Sequence, residues 1–342
     1  MPLIQLHPHP FTSIPAHPSF PTDSSRPDLH QYISTALHEA LELLHSIPST
    51  FTTDPKLRPS PPSQAKVNLL RGWRKPSSEA RVSASTSARA RGKEKSNSEF
   101  WVCRQSEHLN APAKGTASWT EFEAGLRSEH AEHEMEYTPS VSSVERLLEW
   151  VAADIGEVEV DGVRFQGVSV EVNLITHTFH PSALIAPRSF ISLTISAAYN
   201  GTLPPLTVQE QAQAHEEQSP PRQGFLTVQI PLRPTPSSTP QALHQKITAS
   251  APKRAIFANY ASIERVELLP ASGPASQPAT ESEQSQAQAP GRIEWTMATT
   301  SDAGGSIPQW VQRSWALGGV PRAVVADVGL FIGWTMRRRG GS

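Results

Sequence analysis

The sequence predicts an α+β fold in which a curved antiparallel β-sheet packs against a long C-terminal α-helix, with additional helices nearer the N-terminus. Three observations carry this. Five segments of strand character follow one another without helices between them, which argues for antiparallel neighbours because parallel ones need long crossovers. The last of these, residues 293–300, runs through a glycine-rich turn into an apolar stretch with helical spacing. The 342 residues would allow two domains by length, but 32 prolines and long polar stretches leave material for one ordered core.

From the N-terminus, residues 1–27 are rich in Pro and His and hold no continuous apolar run of the kind a signal peptide needs. A disordered start and an intracellular chain are expected. Residues 28–48 read as an amphipathic helix: Leu29, Ile33, Ala36, Leu37, Ala40 and Leu44 share a stripe that Asp28 opens and Pro48 closes. A membrane-surface helix would carry basic residues on its polar face, whereas this one carries Glu39 and Glu42, so packing against the domain is expected. Residues 49–98 are Pro/Ser-rich and basic, with 11 Lys and Arg against three acidic residues, and read as a disordered linker. Such a segment acts either as a solvated tether or as a weak contact for anionic lipid.

The ordered domain, residues 99–339, opens with a strand over 100–106. Ser118 and Glu121 form a capping box for a helix to about residue 130. Val144, Leu147, Leu148, Val151 and Ile155 give the spacing of a further helix, which Gly156 ends. Strands are then predicted over 163–178, 190–199, 225–232, 257–269 and 293–300, interrupted by Pro/Gln/Ser/Ala-rich inserts over 204–223, 233–254 and 270–290 that are expected to be mobile loops. In the last strand Ile293, Trp295 and Met297 share a face. Gly304 and Gly305 suit the turn, Pro308 suits a first helical turn, and Val324, Val325, Val328, Phe331 and Ile332 mark the helix stripe. Its most apolar window spans about 14 residues and contains Asp327, whereas a bilayer span takes about 20, so no transmembrane helix is expected.

Several chemistries lose their footing. There is no G-x-S-x-G elbow, P-loop or G-x-G-x-x-G turn. The pairs His177/His180 and His130/His133 have a spacing that suits a metal, but no cysteine pair or HExxH frame accompanies them, so neither metal nor cofactor is expected. A net charge of −2 gives no pull toward nucleic acid. The lone Cys103, on a strand, reads as a small buried hydrophobe rather than a nucleophile.

The run W-T-M-A-T-T-S-D-A-G-G-S-I-P-Q-W-V-Q over residues 295–312, with F-W-V-C-R-Q-S-E-H at 100–108 and S-W-T-E-F at 118–122, resembles START domains, lipid-transfer modules of the helix-grip fold. More narrowly it is similar to a START-like family of unassigned function found mainly in filamentous fungi. The resemblance covers roughly residues 100–339. It implies a cavity between sheet and C-terminal helix that binds, transfers or senses a hydrophobic small molecule such as a lipid or sterol. Each buried methylene contributes about 0.8 kcal/mol, so a chain of about 16 carbons gains on the order of 12 kcal/mol before ordering costs.

Within that frame Glu171, Asn173 and Arg188 are polar positions in apolar strands, suited to a head group or, alternatively, to outward solvation. Tyr260, Trp295, Trp310, Val311 and Trp315 line the cavity or simply pack. Asp302, with Gly304 and Gly305, caps the turn or gates the mouth, and Gly318, Gly319 and Pro321 interrupt the final helix as a hinge. Trp334 and Arg337, Arg338 and Arg339 cap the helix or meet a membrane. A monomer in the cytoplasm, in transient peripheral contact with an intracellular membrane, is expected. Two other functions stay open: a polyketide cyclase-like enzyme using His177, Glu171 or Arg188 as acid/base groups, and a non-catalytic interaction module whose cavity is filled.

Overall fold

The computed structural model describes residues 1–20, 25–75, 98–179, 185–201, 222–269 and 291–340. The first of these do not fit the expected disorder. β1 (His9–Pro10) pairs in parallel with Leu232 and Arg233, and Ile4, Phe11, Ile14 and Phe20 are buried. The backbone N–H groups of Leu3 and Ile4 donate to the Glu39 carboxylate. A few apolar anchors and borrowed hydrogen bonds fix this segment against a core that other residues build, which composition alone does not register.

Helix α1 (Leu29–Thr50) begins at Asp28, whose Oδ1 accepts from the Gln31 N–H at 2.9 Å, and continues through Pro48. Its stripe is buried as the spacing predicts. Three strands, β2 (Phe51–Thr53), β3 (Arg58–Pro59) and β4 (Lys66–Arg74), then occupy ground that composition assigns to the linker. In β4, Val67 and Leu69 are buried while Lys66 and Trp73 stay exposed, and the strand pairs with β5 (Glu99–Leu109) over eight positions from Val67↔Ser106 to Arg74↔Glu99. Residues 76–97 of the expected linker lie outside the described residues.

The capping box forms at α2 (Trp119–Leu126): the Glu121 carboxylate accepts the Ser118 N–H at 2.7 Å, and Ser118 Oγ accepts the Glu121 N–H. Helix α3 (His130–Tyr137) follows. The helix expected around Leu147 is instead β6 (Val141–Trp150), antiparallel to residues 163–177, plus one turn, α4 (Ala152–Ile155), which Gly156 does end. Two register shifts, at Val141/Ser143 and Arg146/Leu148, explain the misreading. A bulge puts one extra residue into a strand. Leu147 and Leu148 are then both buried, and the alternation turns into a pattern with helix-like gaps.

β7 (Val158–Val160), β8 (Val163–His177), β9 (Arg188–Gly201) and β10 (Arg222–Arg233) continue the sheet. The insert expected to be mobile at 233–254 holds α5 (Gln241–Ser250), whose Leu243 and Ile247 are buried. The other two inserts fall almost wholly outside the described residues. β11 (Ile256–Leu269) and β12 (Arg292–Asp302) form a long antiparallel pair, after which come α6 (Gln309–Gln312) and the long C-terminal helix α7 (Val320–Gly340). No helix among the described residues is long and apolar enough to cross a membrane.

The sheet order is β2-β4-β5-β12-β11-β10-β9-β8-β6. At one end β10 leaves the ladder to meet β1, which lets β9 and β11 pair directly at Arg188–Phe190 and Ile256–Ala258. One face, carrying Leu193, Ile195, Val228 and Ile263, is sealed by α1 and the N-terminal segment. The opposite face, carrying Val102, Val266, Ile293 and Trp295, packs under α2, α3 and α7. The result is the expected α+β architecture, a curved antiparallel sheet with its long C-terminal helix packed on the inner face. The space left under that helix positions the candidate site.

Candidate functional site

A cavity of about 260 Å³ lies between this inner face and the helices α3 and α7. Strand alternation builds its floor, because every second residue of five neighbouring strands points the same way. β9 supplies Phe190 and Ser192, β10 supplies Thr227 and Gln229, β11 supplies Tyr260, Ser262 and Glu264, and β12 supplies Trp295 and Met297. Ile175 and His177 of β8 form one side. The roof is His130, Glu134 and Tyr137 of α3 with Val320, Ala323, Val324 and Asp327 of α7. Aromatic rings meet along one wall: His177 packs edge-on to Phe190, and Phe190 edge-on to Tyr260.

The charged end of the cavity centres on Arg104 of β5, which is 1% exposed. Its Nη2 lies 3.2 Å from Glu264 Oε1, its guanidinium stacks 3.9 Å above the Trp295 ring, and Trp295 Nε1 donates to the same Glu264 oxygen at 2.8 Å. Two more carboxylates, Glu134 and Asp327, face the space from the roof. Burial pushes the Asp327 carboxyl up to about 7, with Glu134 and Glu264 reinforcing and Arg104 opposing that shift. Burial also raises Glu134, against the pull of His130. In contrast, burial lowers His177 to about 4, and its Nδ1 lies 3.0 Å from Ser140 Oγ.

Of the residues singled out in the sequence, the structure brings His177, Tyr260 and Trp295 together in this cavity. Glu171 and Asn173 share the inner face but lie beyond the cavity. Asn173 Nδ2 donates to Glu171 Oε1 at 2.7 Å, and Arg146 of β6 pairs with Glu171 at 3.2 Å, while Asn173 Oδ1 is buried without a hydrogen-bond partner. Arg188 is buried away from the cavity, where Nε donates to the Ala303 carbonyl at 3.1 Å and Nη1 to that of Ala186. It pins the turn after β12. Trp310 is 67% exposed, Val311 sits beside it on α6, and Trp315 packs beneath the Arg58 guanidinium, so none of the three lines the cavity.

Asp302 acts as the turn's cap, since its Oδ1 accepts from the Gly304 N–H at 2.9 Å and from Gln312 Nε2. Gly304 and Gly305 both take positive φ there. The expected break in the final helix is present: residues 313–319 separate α6 from α7, and Pro321 is buried in the first turn of α7. Gly319 fits because a Cβ would run into the Gln312 carbonyl. Trp334 corrects an expectation. It is buried, donates to Glu136 at 2.8 Å and packs on Phe331, so it forms part of the core rather than a membrane anchor. Arg339 is likewise tied inward, to the carbonyls of Ala113 and Thr116 and to Glu121. Arg338 lies over Trp334 near Glu136, and Arg337 is exposed.

Sequence reading missed Arg104, Glu134, Glu264 and Asp327. Their signal was present: Arg104 interrupts the apolar run W-V-C, and Asp327 interrupts the stripe Val324–Val328. Of the spaced histidines, His130 lines the cavity roof, His133 packs on Trp334, and His180 lies outside the described residues. Among the described residues no group of three or more His, Cys, Asp or Glu stands close enough to hold a metal. Cys103 is fully buried, and burial pushes its thiol up to about 12. That is the opposite of a thiolate nucleophile.

A second, wider depression of about 950 Å³ lies between β5, β12 and α6, lined by Trp73, Phe100, Gln309 and Arg313 among others. Ser301 and Val320 border both spaces.

Comparison with known proteins gives a family. The model of the family described as "Protein of unknown function (DUF3074)" matches residues 101–335. No curated protein matches the chain. Among solved structures, the crystal structure of human STARD10 is similar at 10% identity and a TM-score of 0.43, covering 89% of this chain and 83% of that one. Human StAR-related lipid transfer protein 5 is similar at 10% identity and a TM-score of 0.42, covering 91% of this chain and 99% of that one.

Proposed function

The chain belongs to the DUF3074 family, and we propose that it binds a hydrophobic small molecule in the cavity between the sheet and α7, as a carrier or sensor. One observation carries this reading: a space of about 260 Å³, partly open to solvent, remains between the sheet and the helices, with aromatic and aliphatic side chains beside charged and polar ones in its lining. Protein interiors are otherwise close-packed, so a space of this size is not a packing accident. It is just under the range of about 300–1,000 Å³ usual for ligand pockets. A compact ligand fits as it stands, and a longer one needs a wider opening.

The hinge supplies that opening. Gly318 takes positive φ, and the link at residues 313–319 precedes Val320, which with Ser301 separates the cavity from the wider depression outside. Movement of α6 about this link would join the two spaces and admit a chain. A cytoplasmic setting belongs to the same reading, since the lone Cys103 has no second cysteine to pair with.

The test is to purify the full chain, extract it with organic solvent and identify bound molecules by native and lipid mass spectrometry, alongside uptake of fluorescent fatty acid and sterol. One ligand class at about one per protein is expected. Ala323→Trp, at an exposed residue that also borders the cavity, should plug the space and lower uptake at least tenfold without unfolding the chain. An empty protein that takes up no probe would end this reading.

A second reading, a cyclase-like enzyme, is favoured by one observation: His177 and Asp327 face the same space with proton affinities pushed in opposite directions. Acid/base chemistry uses such pairs. Turnover of a reactive polyketide chain that Asp327→Asn abolishes while binding persists would support it.

A further inference from the structure

Resting on the reading that the cavity holds a hydrophobic ligand, we propose that the head group it receives is a protonated amine, held between Glu134 of α3 and Asp327 of α7. The ligand class is a hydrophobic amine rather than a fatty acid or an alcohol.

The charges facing the space make the case. β5 contributes Arg104, β11 contributes Tyr260 and Glu264, β8 contributes His177, α3 contributes His130, Glu134 and Tyr137, and α7 contributes Asp327. Three carboxylates therefore meet one guanidinium. Glu264 is already satisfied, since the same oxygen accepts from Arg104 and from Trp295. The Glu134 and Asp327 carboxylates, in contrast, accept no hydrogen bond and form no ion pair among the described residues, whereas several polar groups of the cavity floor are paired with one another. Ser262 donates to Gln229 and Thr227 lies 2.9 Å from Ser196. An unpaired enclosed carboxylate is costly to keep ionised, and a cation between two of them relieves that cost.

An anionic head group would meet the two acids, and Arg104, although its Nε and Nη1 have no hydrogen-bond partner, is only 1% exposed beneath its Glu264 pair and its Trp295 stack. An ammonium finds acceptors on two sides, with Tyr137 and Tyr260 also in the lining, and aromatic rings attract cations by their quadrupoles. A metal ion is the other cation to consider, but no cluster of three ligating side chains exists among the described residues. Burial raises the proton affinity of both carboxyls, and the pull of His130 on Glu134 and of Arg104 on Asp327 does not offset it, which agrees with the geometry.

The space has room for roughly nine water volumes at about 30 Å³ each, which suits an eight-carbon probe. The test is calorimetric titration of the full chain at about pH 8 with octylamine, octanol and octanoate, which share a chain and differ in charge. Octylamine should bind roughly tenfold tighter than either other probe, and Glu134→Gln and Asp327→Asn should each bring it to within about threefold of octanol while octanol itself is unchanged. Octanol or octanoate binding as tightly as octylamine would overturn the amine assignment and leave the hydrophobic-ligand reading standing. Binding of none of the three overturns both. An amine preference that survives in the double variant would overturn the assignment to these two residues. Should a variant fail to fold, the head-group series on the unaltered chain decides alone.

Discussion

Arg104 shows how much one side chain can hold together. It sits under the cavity with Glu264 on one side and the Trp295 ring on the other, and it is 1% exposed. Removing it leaves Glu264 buried without its cation, so Arg104→Ala should cost about 3–5 kcal/mol in urea unfolding, well beyond a surface charge deletion. Asp327 acts in the opposite sense. Its folded carboxyl titrates near 7, whereas an unfolded Asp titrates at about 3.9. Between about pH 4 and about pH 7 the folded state keeps a proton that the unfolded chain has released, so this group's contribution falls as pH rises across that window and is level above it. Asp327→Asn should therefore match the parent near pH 4 and exceed it near pH 8, by a few kcal/mol at most at about 1.4 kcal/mol per pH unit. Equal stability of the two at pH 8 would mean that the carboxylate has found a partner. These residues were hard to read because a charge within a strand or helix stripe is ordinarily the solvated face. Only the fold shows that this face is turned inward.

At the scale of elements, legibility follows the regularity of side-chain alternation. β8 to β12 keep period two over long stretches, so their positions follow from Val170, Val172 and Leu174 or from Ile293 and Trp295 without a structure. β6 does not, because its two bulges turn Val144, Leu147, Leu148 and Val151 into a helical spacing. The break between α6 and α7 was legible from Gly318-Gly319 and Pro321, since few other sequences end a helix so firmly. What the sequence could not carry is the close approach at Gly319, where a side chain would strike the Gln312 carbonyl. Gly319→Val should therefore push α6 off the end of β12, releasing the Gln312 contacts to Asp302 and Ala303. Faster ligand exchange in stopped-flow fluorescence is expected, with hydrogen-exchange protection lost at residues 302–312 and kept in α7. Protection lost equally throughout α7 would show that the two halves do not move separately.

For the whole molecule, the decisive feature is that the sheet is covered on both faces, and the two covers come from distant parts of the chain. α7, at the C-terminal end, closes the side that holds the cavity, while α1 and residues 1–20 seal the other, burying Ile33, Leu37, Leu41 and Leu44 against the outer faces of the central strands. The family match begins at residue 101 and the resemblance in sequence begins near residue 100, so both suggest a domain that starts there. The structure argues against cutting at that point. A chain beginning at residue 99 lacks β4, which hydrogen-bonds β5 over most of its length, and leaves β5 as an open edge. It also strips α1 from a face carrying Leu193, Ile195, Val228, Ile230 and Ile263, each about 1.5–3 kcal/mol of lost burial. An unpaired edge beside an exposed apolar face is a template for aggregation. Expressed alone, residues 99–342 should be insoluble or bind a hydrophobic dye strongly, whereas the chain from residue 1 should unfold in one cooperative transition. Adding residues 1–75 as a separate polypeptide during refolding should restore part of the soluble material, because what the shortened chain lacks is a cover and an edge partner rather than information for its own strands. A soluble, cooperatively folding 99–342 would show instead that the N-terminal third is an accessory to the fold.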